Sequence, residues 1–211
     1  MKTLLIGKHG QVAWELQRTL APLGEVVAVG RSDLNLADIA AVRACVAEVR
    51  PQLVVNAAAY TAVDKAEAEP KLCHQINESL PGVLAEEAKK FGALLVHYST
   101  DYVFDGSKTS PYVETDVTNP LGTYGASKLA GEQAVRAAGA DHLIFRLCWV
   151  YGARGQNFML TMQRLARERM PLTVCPLSNV KLCVFKTLAE HNLPALLRAG
   201  LCATVNSDDP A

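Results

Sequence analysis

The sequence predicts an open α/β fold built on a parallel sheet. Over the first 150 residues, short apolar runs rich in β-branched residues alternate with stretches in which apolar residues recur at helical spacing. Several runs are continuously apolar, which is typical of parallel strands that are covered on both faces. Strands that alternate with helices favour right-handed crossovers within one sheet. Ligands of such sheets bind at the carboxyl ends of the strands, so the residues that follow each strand are the candidates for a site.

The individual elements follow from local patterns. Within residues 11–21, Val12, Leu16 and Leu20 lie four apart and form one helical face. The helix over 38–49 ends before a proline, which disfavours helical backbone in the residue before it. The stretch 105–121 is rich in turn residues and is predicted to be an ordered surface loop. Strands are predicted at 3–6, 25–29, 53–56, 93–98 and 142–149, and helices at 11–21, 38–49, 81–91 and 126–138.

Composition and charge exclude several classes of protein. Half of the 211 residues are hydrophobic, and 21 basic residues balance 21 acidic ones, which is unlike a disordered chain. A net charge of zero without a basic run predicts no nucleic-acid partner. No apolar stretch approaches the roughly 18 residues of a membrane span, so we expect no membrane partner.

The N-terminus and the cysteines indicate a cytoplasmic protein. Residues 1–6 run directly into a glycine turn without the apolar region of a signal peptide. None of the six cysteines forms a C-x-x-C pair or has zinc-finger spacing. We therefore expect small hydrophobic thiols in a reducing compartment, and no metal site.

A glycine-rich turn follows the first predicted strand. Residues 7–13 read GKHGQVA, the G-x-x-G-x-x-G/A form of the dinucleotide-binding turn, and they open a helix. Gly7 permits a tight turn, Gly10 lets the backbone approach a pyrophosphate, and Ala13 allows close packing of helix on strand. The N–H groups of the helix N-terminus suit the phosphates. The turn therefore predicts a Rossmann-type doubly wound sheet that binds a dinucleotide.

The end of the second predicted strand bears on the choice of cofactor. An NAD-preferring site usually has an acid there, whereas this chain has Gly30 and Arg31. An arginine suits a 2′-phosphate, which favours NADPH, with NADH as the alternative. A solvent-exposed surface arginine is the other interpretation of Arg31.

Candidate catalytic residues follow the fourth strand. Tyr124 and Lys128 lie four apart in YGASK and would share one face of a helix. A nearby ammonium favours the phenolate and lowers the pKa of the phenol, so Tyr124 could exchange a proton with a carbonyl oxygen. Thr100, directly after a buried strand, is placed to donate a hydrogen bond to the same oxygen. The alternative for Thr100 is a local turn or a helix cap.

Taken together, these motifs resemble the extended short-chain dehydrogenases/reductases and, within them, the dTDP-4-dehydrorhamnose reductase family. The resemblance covers about residues 1–169. It rests on GKHGQVAWELQ (7–17), VVNAAAYTAVDKAE (54–67), HYSTDYVFDG (97–106), ETD (114–116), YGASKLAGE (124–132), FRLCWVYG (145–152) and NFMLTMQRLARER (157–169).

The resemblance implies an enzyme of dTDP-rhamnose, and hence cell-surface polysaccharide, biosynthesis. Members reduce the 4-keto group of dTDP-4-dehydrorhamnose to give dTDP-L-rhamnose, with hydride from NADPH or NADH. It implies that Tyr124 donates the proton, that Lys128 binds the nicotinamide ribose, and that Thr100 orients the carbonyl. The implied cofactor-binding residues are Gly7, His9, Gly10, Gln11, Val12, Arg31, Asn35, Leu36, Ala57, Ala58, Ala59, Tyr124 and Lys128, and the implied substrate-binding residues are Thr100, Asp101, Tyr102, Tyr124 and Trp149.

The resemblance also implies partners and leaves alternatives open. It implies a dTDP-sugar substrate, a homodimer and a magnesium requirement. One alternative is a cofactor-binding regulatory subunit without catalysis. Another is a related sugar-nucleotide epimerase or dehydratase.

The C-terminal part departs from this pattern. After Arg169 the family's substrate-capping region is missing or replaced, and 172–211 resembles a piece of an adenosine or adenine deaminase, through CPLSN (175–179) and NSDDP (206–210). In those enzymes the first acid of SDDP, here Asp208, binds zinc, but no H-x-H pair accompanies it. We therefore expect a chimera of a reductase domain, 1–169, and a deaminase-like tail, 170–211, without a metal site. The tail is expected to add one strand at 172–175 and one helix at 186–199.

Overall fold

The computed structural model describes residues 1–175, 186–198, 200 and 202–205. The chain divides into two compact units, residues 1–155 and 156–211. The boundary predicted at 169–170 follows the family resemblance and stays a prediction. Among the described residues, no helix is both long enough and apolar enough to cross a membrane.

A five-stranded parallel sheet forms the centre of the first unit, in the order β2-β1-β3-β4-β5. The register pairs Leu4 with Val54 and Val54 with Leu95, so the apolar side chains of adjacent strands lie side by side. This arrangement confirms the predicted α/β fold class. The strands are β1 (Lys2–Ile6), β2 (Glu25–Val29), β3 (Leu53–Asn56), β4 (Leu94–Thr100) and β5 (His142–Leu147).

Helices cross over between the strands. The strands β1 and β2 are joined by α1 (Gln11–Leu20), and β2 and β3 by α2 (Ile39–Val49). Between β3 and β4 the chain forms α3 (Val63–Ala68), α4 (Pro70–His74), a π-helical turn (Gln75–Ser79) and α5 (Leu80–Phe91); α6 (Thr123–Ala138) precedes β5.

Most element ends lie within one or two residues of those predicted, and three differences bear on the site. The segment 63–79 is helical although no helix was predicted there; Pro70 takes the first position of α4, where its missing N–H costs nothing. The helix α6 begins at Thr123 rather than 126, which places Tyr124 in its first turn. The strand β5 ends at Leu147 rather than 149, because Trp149 has left-handed backbone with φ of 47°.

Two apolar clusters cover the two faces of the sheet. The larger joins Leu4, Val54 and Leu95 to side chains of α2, α5 and α6. The smaller joins Leu5 and Val55 to α1. Burial of each Leu or Val side chain contributes roughly 1.5–3 kcal/mol to the stability of the fold, so these clusters hold the strands and their carboxyl ends in place.

The second unit contains α7 (Phe158–Arg167), β6 (Leu172–Val174), α8 (Leu193–Arg198) and β7 (Ala203–Val205). The strands β6 and β7 pair in parallel in a two-stranded sheet of their own, and β6 covers three of the four residues 172–175 at which a strand is expected. The contribution of the tail stays a prediction. The helix expected at 186–199 is shorter, because Pro194 fits the first turn of a helix but not its interior. Asp208 and residues 176–179 and 206–210 of the deaminase-like motifs lie outside the described residues.

Candidate active site

The residues predicted to form a site follow the carboxyl ends of the strands. Because parallel strands end at the same edge, segments far apart in sequence meet there. The turn 7–12 follows β1, residues 31–36 follow β2, residues 57–59 follow β3, and residues 100–102 follow β4.

The glycine turn is built as a cradle for an anion. The N–H groups of Gly7 and Lys8 donate to the carbonyl of Val29 at 2.8 and 3.1 Å, which ties the turn to the end of β2. Gly7 has φ of 97°, and a Cβ there would lie 3.0 Å from the backbone nitrogen of Ala58. A Cβ on Gly10 would lie 3.3 Å from the carbonyl oxygen of Gly7 and would fill the cradle.

The first turn of α1 completes this cradle. The capping residue Gly10 offers no side chain to the helix N–H groups, and the first turn carries no acidic residue. These N–H groups and the helix dipole therefore remain available to a phosphate. Gln11 lies at this turn against the loop after β5, where a Cβ on Gly155 would be 2.7 Å from its Cγ. The residues present fit the pyrophosphate of a dinucleotide.

The end of β2 carries a cluster of charged residues. The Nζ atom of Lys8 lies 2.5 Å from Oδ2 of Asp33, and the same oxygen accepts the N–H of Gly30 at 2.9 Å. The bond from Lys8 lowers the pKa of Asp33, and the bond from Gly30 adds to this. Arg31 is exposed beside them, and His9 lies against Gly30, where a Cβ would be 2.8 Å from its ring.

Asn35 and Leu36, expected to contact adenine, lie just before α2. The side-chain oxygen of Asn35 accepts the N–H of Ala37 at 3.1 Å, which fixes a tight turn. Leu36 is half-buried and packs against the larger apolar cluster. The turn leads into Asp38, which caps α2 by accepting the N–H of Ala41.

Of the three alanines after β3, Ala58 is held by a buried polar side chain. The side-chain oxygen of Asn56 accepts the N–H of Ala58 at 3.2 Å, so its amide nitrogen faces Nδ1 of His97, 3.1 Å away. Since an amide nitrogen can only donate, Nδ1 is the acceptor and Nε2 carries the proton. Burial lowers the pKa of His97 to about 3, with the positive charge of Lys128 acting in the same direction.

Thr100 and Tyr124 meet at the end of β4. The hydroxyl of Thr100 donates to Asp101 at 3.0 Å and accepts the N–H of Tyr102 at 3.2 Å. It also lies near enough to the phenol of Tyr124 to act on its pKa. The rings of Tyr102 and Tyr124 meet edge to face, with centroids 5.5 Å apart. Thr100 is thus a turn cap, as one of the two interpretations predicted, and its hydrogen bond to a substrate oxygen stays a prediction.

A cavity of about 520 Å³ opens above Tyr124. Its volume suits part of a sugar nucleotide, since small-molecule pockets measure about 300–1,000 Å³. Trp149, also expected at the substrate, is 67% exposed on the loop after β5 and is not among the described residues that line the cavity. The described lining residues are Val63, Glu67, Asp101, Tyr102, Phe104, Asp105, Gly106, Tyr112, Leu121, Gly122, Tyr124 and Gly125.

The protein itself raises the pKa of Tyr124. Burial of the phenol is the main cause, and the hydrogen bond with Thr100 acts in the opposite direction. The lowering that the sequence predicted from Lys128 is therefore not what the surrounding groups produce. It stays a prediction for the complex with an oxidised nicotinamide.

Lys128 lies buried one helical turn from Tyr124, with 2% of its surface exposed. Its ammonium donates to the carbonyl of Tyr98 at 2.6 Å. Burial lowers the pKa of Lys128 to about 8, and the charge of Glu132, a further turn along α6, raises it. Lys128 therefore remains largely a cation at neutral pH.

Glu132 anchors this helix to two strands. Its carboxylate accepts Oγ of Ser99 at 2.6 Å and two guanidinium nitrogens of Arg146 at 2.9 and 2.7 Å. Arg136 adds a third cation contact at 3.1 Å. The Arg146 guanidinium also lies 4.9 Å from the ring centroid of Phe104, a lining residue of the cavity. Burial opposes ionisation, but Arg146 and Ser99 together hold the pKa of Glu132 below its usual range.

A second buried network supports the first turn of α6. The side chain of Asn77, in the π-helical turn, accepts the N–H of Tyr60 at 2.9 Å and donates to Oγ of Ser127 at 3.0 Å. Oγ of Ser127 in turn donates to the carbonyl of Tyr124 at 2.7 Å, and Sγ of Cys73 lies 3.1 Å from the same Oγ atom. Helix α6 can come this close because Gly131 has no side chain; a Cβ there would be 2.0 Å from the Asn77 carbonyl oxygen.

The sequence reasoning missed several of these residues. Asp33 could have been noticed as a carboxylate just after β2, and Glu132 as an acid four residues after Lys128. The contacts of Asn77, His97 and Arg146 join distant segments, and no local pattern indicates them.

The magnesium requirement implied by the resemblance finds no support. Among the residues that the structure describes, no three His, Cys, Asp or Glu side chains cluster in a way that could hold a metal ion.

The fold and the site together define a class of protein. A parallel sheet, an anion cradle after its first strand, and a Tyr-x-x-x-Lys pair beside a threonine at the end of β4 are the features of an extended short-chain dehydrogenase/reductase. Comparisons with known proteins narrow the class. The family described as RmlD substrate binding domain matches residues 1–178. The chain therefore belongs to the dTDP-4-dehydrorhamnose reductase family.

Similar proteins carry that name. The chain is 52% identical to the dTDP-4-dehydrorhamnose reductase of Burkholderia thailandensis and 51% identical to that of Escherichia coli K12, in each case over 82% of this chain. It spans 58% and 60% of the length of those proteins. A crystal structure of the Bacillus anthracis reductase in complex with NADP matches with a TM-score of 0.82 and 30% identity, over 99% of this chain and 84% of that one.

These findings correct the interpretation of the C-terminal part. The family match runs through the expected seam at 169–172 as far as residue 178, and the Bacillus anthracis structure covers 99% of this chain. Nothing supports an adenosine deaminase origin for 170–211. The expectation rested on two five-residue motifs, which are too short to establish an origin.

Proposed function

We propose that this chain is the cofactor-binding and catalytic part of a dTDP-4-dehydrorhamnose reductase. In the proposed reaction, the C4 ketone of the dTDP-sugar is reduced to the alcohol of dTDP-L-rhamnose. The observation that carries the proposal is the meeting of Thr100 with Tyr124 at the cavity, one helical turn from the buried cation of Lys128. The similarity to reductases of the same name supports the choice of substrate.

The glycine turn, the residues after β2 and the alanines after β3 would hold NADPH, with NADH as the alternative. When bound, NADPH supplies the hydride for C4 of the sugar. The cradle between Gly7 and Gly10 fits its pyrophosphate, and the exposed Arg31 suits its 2′-phosphate. The NADP bound to the similar Bacillus anthracis reductase supports this assignment.

In the proposed reaction one side chain transfers the proton and two others support it. Tyr124 donates its phenolic proton to the ketone oxygen, so that hydride and proton together give the alcohol. Burial raises the pKa of Tyr124 and keeps the phenol protonated, which is the form a proton donor needs. To donate a hydrogen bond to the same oxygen, the hydroxyl of Thr100 would turn away from Asp101, to which it donates in this structure. With the cofactor bound, the charge of Lys128 would stabilise the phenolate form of Tyr124.

Oxidation of NADPH by the full chain with dTDP-4-dehydrorhamnose tests the proposal. We expect turnover, and a loss of at least about 100-fold in kcat for Tyr124→Phe with unchanged NADPH binding, because general acid catalysis contributes 10²–10⁴-fold. Tyr151→Phe removes an exposed phenol and serves as the control. Normal NADPH binding without turnover would contradict the reductase and favour a regulatory subunit. Tightly retained NAD in the purified protein would favour an epimerase or dehydratase.

Two further points belong to the proposal. A cytoplasmic location suits thiols that form no disulfide among the described residues. The homodimer stays a prediction, which sedimentation equilibrium of the purified chain can test.

A further inference from the structure

The ion pair of Lys8 and Asp33 lies at the carboxyl end of β2. In a doubly wound sheet this is where the adenine ribose of a dinucleotide lies. The Oδ2 atom of Asp33 has two donors, Nζ of Lys8 at 2.5 Å and the N–H of Gly30 at 2.9 Å. Its Oδ1 atom has a long contact of 3.5 Å with the hydroxyl of Ser32. The carboxylate is therefore ionised and matched by an ammonium.

Asp33 is the single acidic residue in the stretch 30–37 that follows β2. A carboxylate at this place has two effects on cofactor choice. It accepts hydrogen bonds from the ribose hydroxyls of NADH, and it repels the 2′-phosphate of NADPH. A lysine that holds the carboxylate suppresses both effects.

Position 30, where an NAD site would carry its acid, is crowded by two side chains of the glycine turn, which would have to shift to admit a side chain there. A Cβ on Gly30 would lie 2.8 Å from the His9 ring and 3.2 Å from Cγ of Lys8. The turns at this place then carry two basic side chains, those of Lys8 and Arg31, against the one carboxylate of Asp33. An excess of positive charge suits a phosphate monoester better than a neutral hydroxyl.

We propose that Lys8 is a specificity-determining residue: by holding Asp33, it makes the end of β2 accept a 2′-phosphate and disfavours a ribose without one. The inference rests on the proposed binding of a dinucleotide and assigns the choice between its two forms to this ion pair. Both side chains are partly exposed, at 26% and 38%, so the pair contributes little to folding.

The test measures ligand binding rather than turnover. The purified full chain is titrated calorimetrically with 2′,5′-ADP and with 5′-AMP, which differ only in the 2′-phosphate. We expect tighter binding of 2′,5′-ADP, and a fall of about tenfold in this preference for Lys8→Met, since one charge-assisted contact is lost and one like-charge repulsion appears.

Further variants separate the two residues. Lys8→Arg keeps the cation and should keep the preference. Asp33→Asn should raise the preference for 2′,5′-ADP over 5′-AMP. Lys8→Met combined with Asp33→Asn should recover most of the preference that Lys8→Met loses, because the freed carboxylate is the source of the repulsion. Lys2→Met removes the comparable exposed pair with Glu25 at the amino ends of β1 and β2, and should leave the preference unchanged.

The outcomes are distinguishable. An equal weakening of both ligands by Lys8→Met, or an unchanged preference, overturns the role of Lys8 alone. Binding of neither ligand to the unmodified chain overturns the proposed function and this inference with it. Thermal unfolding of each variant shows whether it is folded.

Discussion

The Nζ atom of Lys128 lies 2.6 Å from the carbonyl oxygen of Tyr98, so the backbone of β4 holds the buried cation of the candidate active site. The strand that carries this carbonyl ends two residues later at Thr100. One strand thus orients both the threonine and the lysine of the proposed catalytic group. The position of Lys128 is set by backbone, which a side-chain substitution at residue 98 does not remove.

Replacement of Lys128 by methionine should stabilise the fold while it impairs the reaction. Burial lowers the pKa of Lys128 from its ordinary value of 10.5 to about 8, so keeping it charged at pH 7 costs up to about 3 kcal/mol. The unfolded chain binds more protons than the folded one between pH 8 and 10.5, so this cost disappears as pH rises through that range. Urea denaturation of Lys128→Met at about pH 7 and about pH 10 measures the effect. Lys89→Met is the control, since Lys89 also donates to a carbonyl, that of Ala138, but is exposed. A destabilisation independent of pH contradicts the prediction.

Arg146 should be far more important for stability than Arg136, although both contact Glu132. Arg146→Met leaves a fully buried carboxylate without its two-pronged partner, and we expect a loss of about 3–5 kcal/mol in the free energy of unfolding. Arg136 is half-exposed, so Arg136→Met should cost less than about 1 kcal/mol. Equilibrium denaturation of both variants compares them. Equal losses would show that the buried pair has no special weight.

His97 should make the protein less stable in acid. Burial lowers its pKa to about 3, whereas an unfolded histidine titrates near 6.5. The contribution of neutral His97 to the free energy of unfolding is therefore fully present above about pH 6.5. It is lost as pH falls towards about 3, by up to about 1.4 kcal/mol per pH unit. His97→Gln can still accept from Asn56 but does not titrate, so its free energy of unfolding should fall less steeply over this range. Parallel curves for the two proteins would contradict this assignment.

Gly131→Ala should destabilise the protein although alanine favours helices. The added Cβ would lie 2.0 Å from the backbone oxygen of Asn77, so α6 must shift, at a cost of about 1–3 kcal/mol. Gly82→Ala in α5 is the matched control, since its Cβ would meet only the methyl group of Ala134 at 3.1 Å. Urea denaturation should show a clear loss for Gly131→Ala and a smaller change for Gly82→Ala. Equal changes would argue against close packing of α6 on the π-helical turn.

Local sequence patterns were enough to predict the main strands and the glycine turn of the first unit. The five strands, the turn at Gly7 and the helical pairing of Tyr124 with Lys128 are all signalled by short stretches of sequence. The raised pKa of Tyr124 was beyond such patterns, because it depends on burial, which only the assembled fold determines.

Contacts between distant segments were not predictable in the same way. Lys8 and Asp33 lie on separate turns, Asn56 and His97 are 41 residues apart, and charged residues in isolation are expected to be solvated. The prediction of a deaminase-like tail was wrong for another reason. Two five-residue motifs suggested a second origin, whereas the family match continues through residue 178.

The helix α6 carries the proposed acid and its lysine, and the same helix is bound to the core through Glu132 and Gly131. Changes that loosen this packing should therefore also disturb the proposed reaction. The cluster of Lys8, Arg31 and Asp33 lies on partly exposed turns outside that packing. Under the proposed assignments, single substitutions in this cluster change the cofactor preference without disturbing the packing of α6.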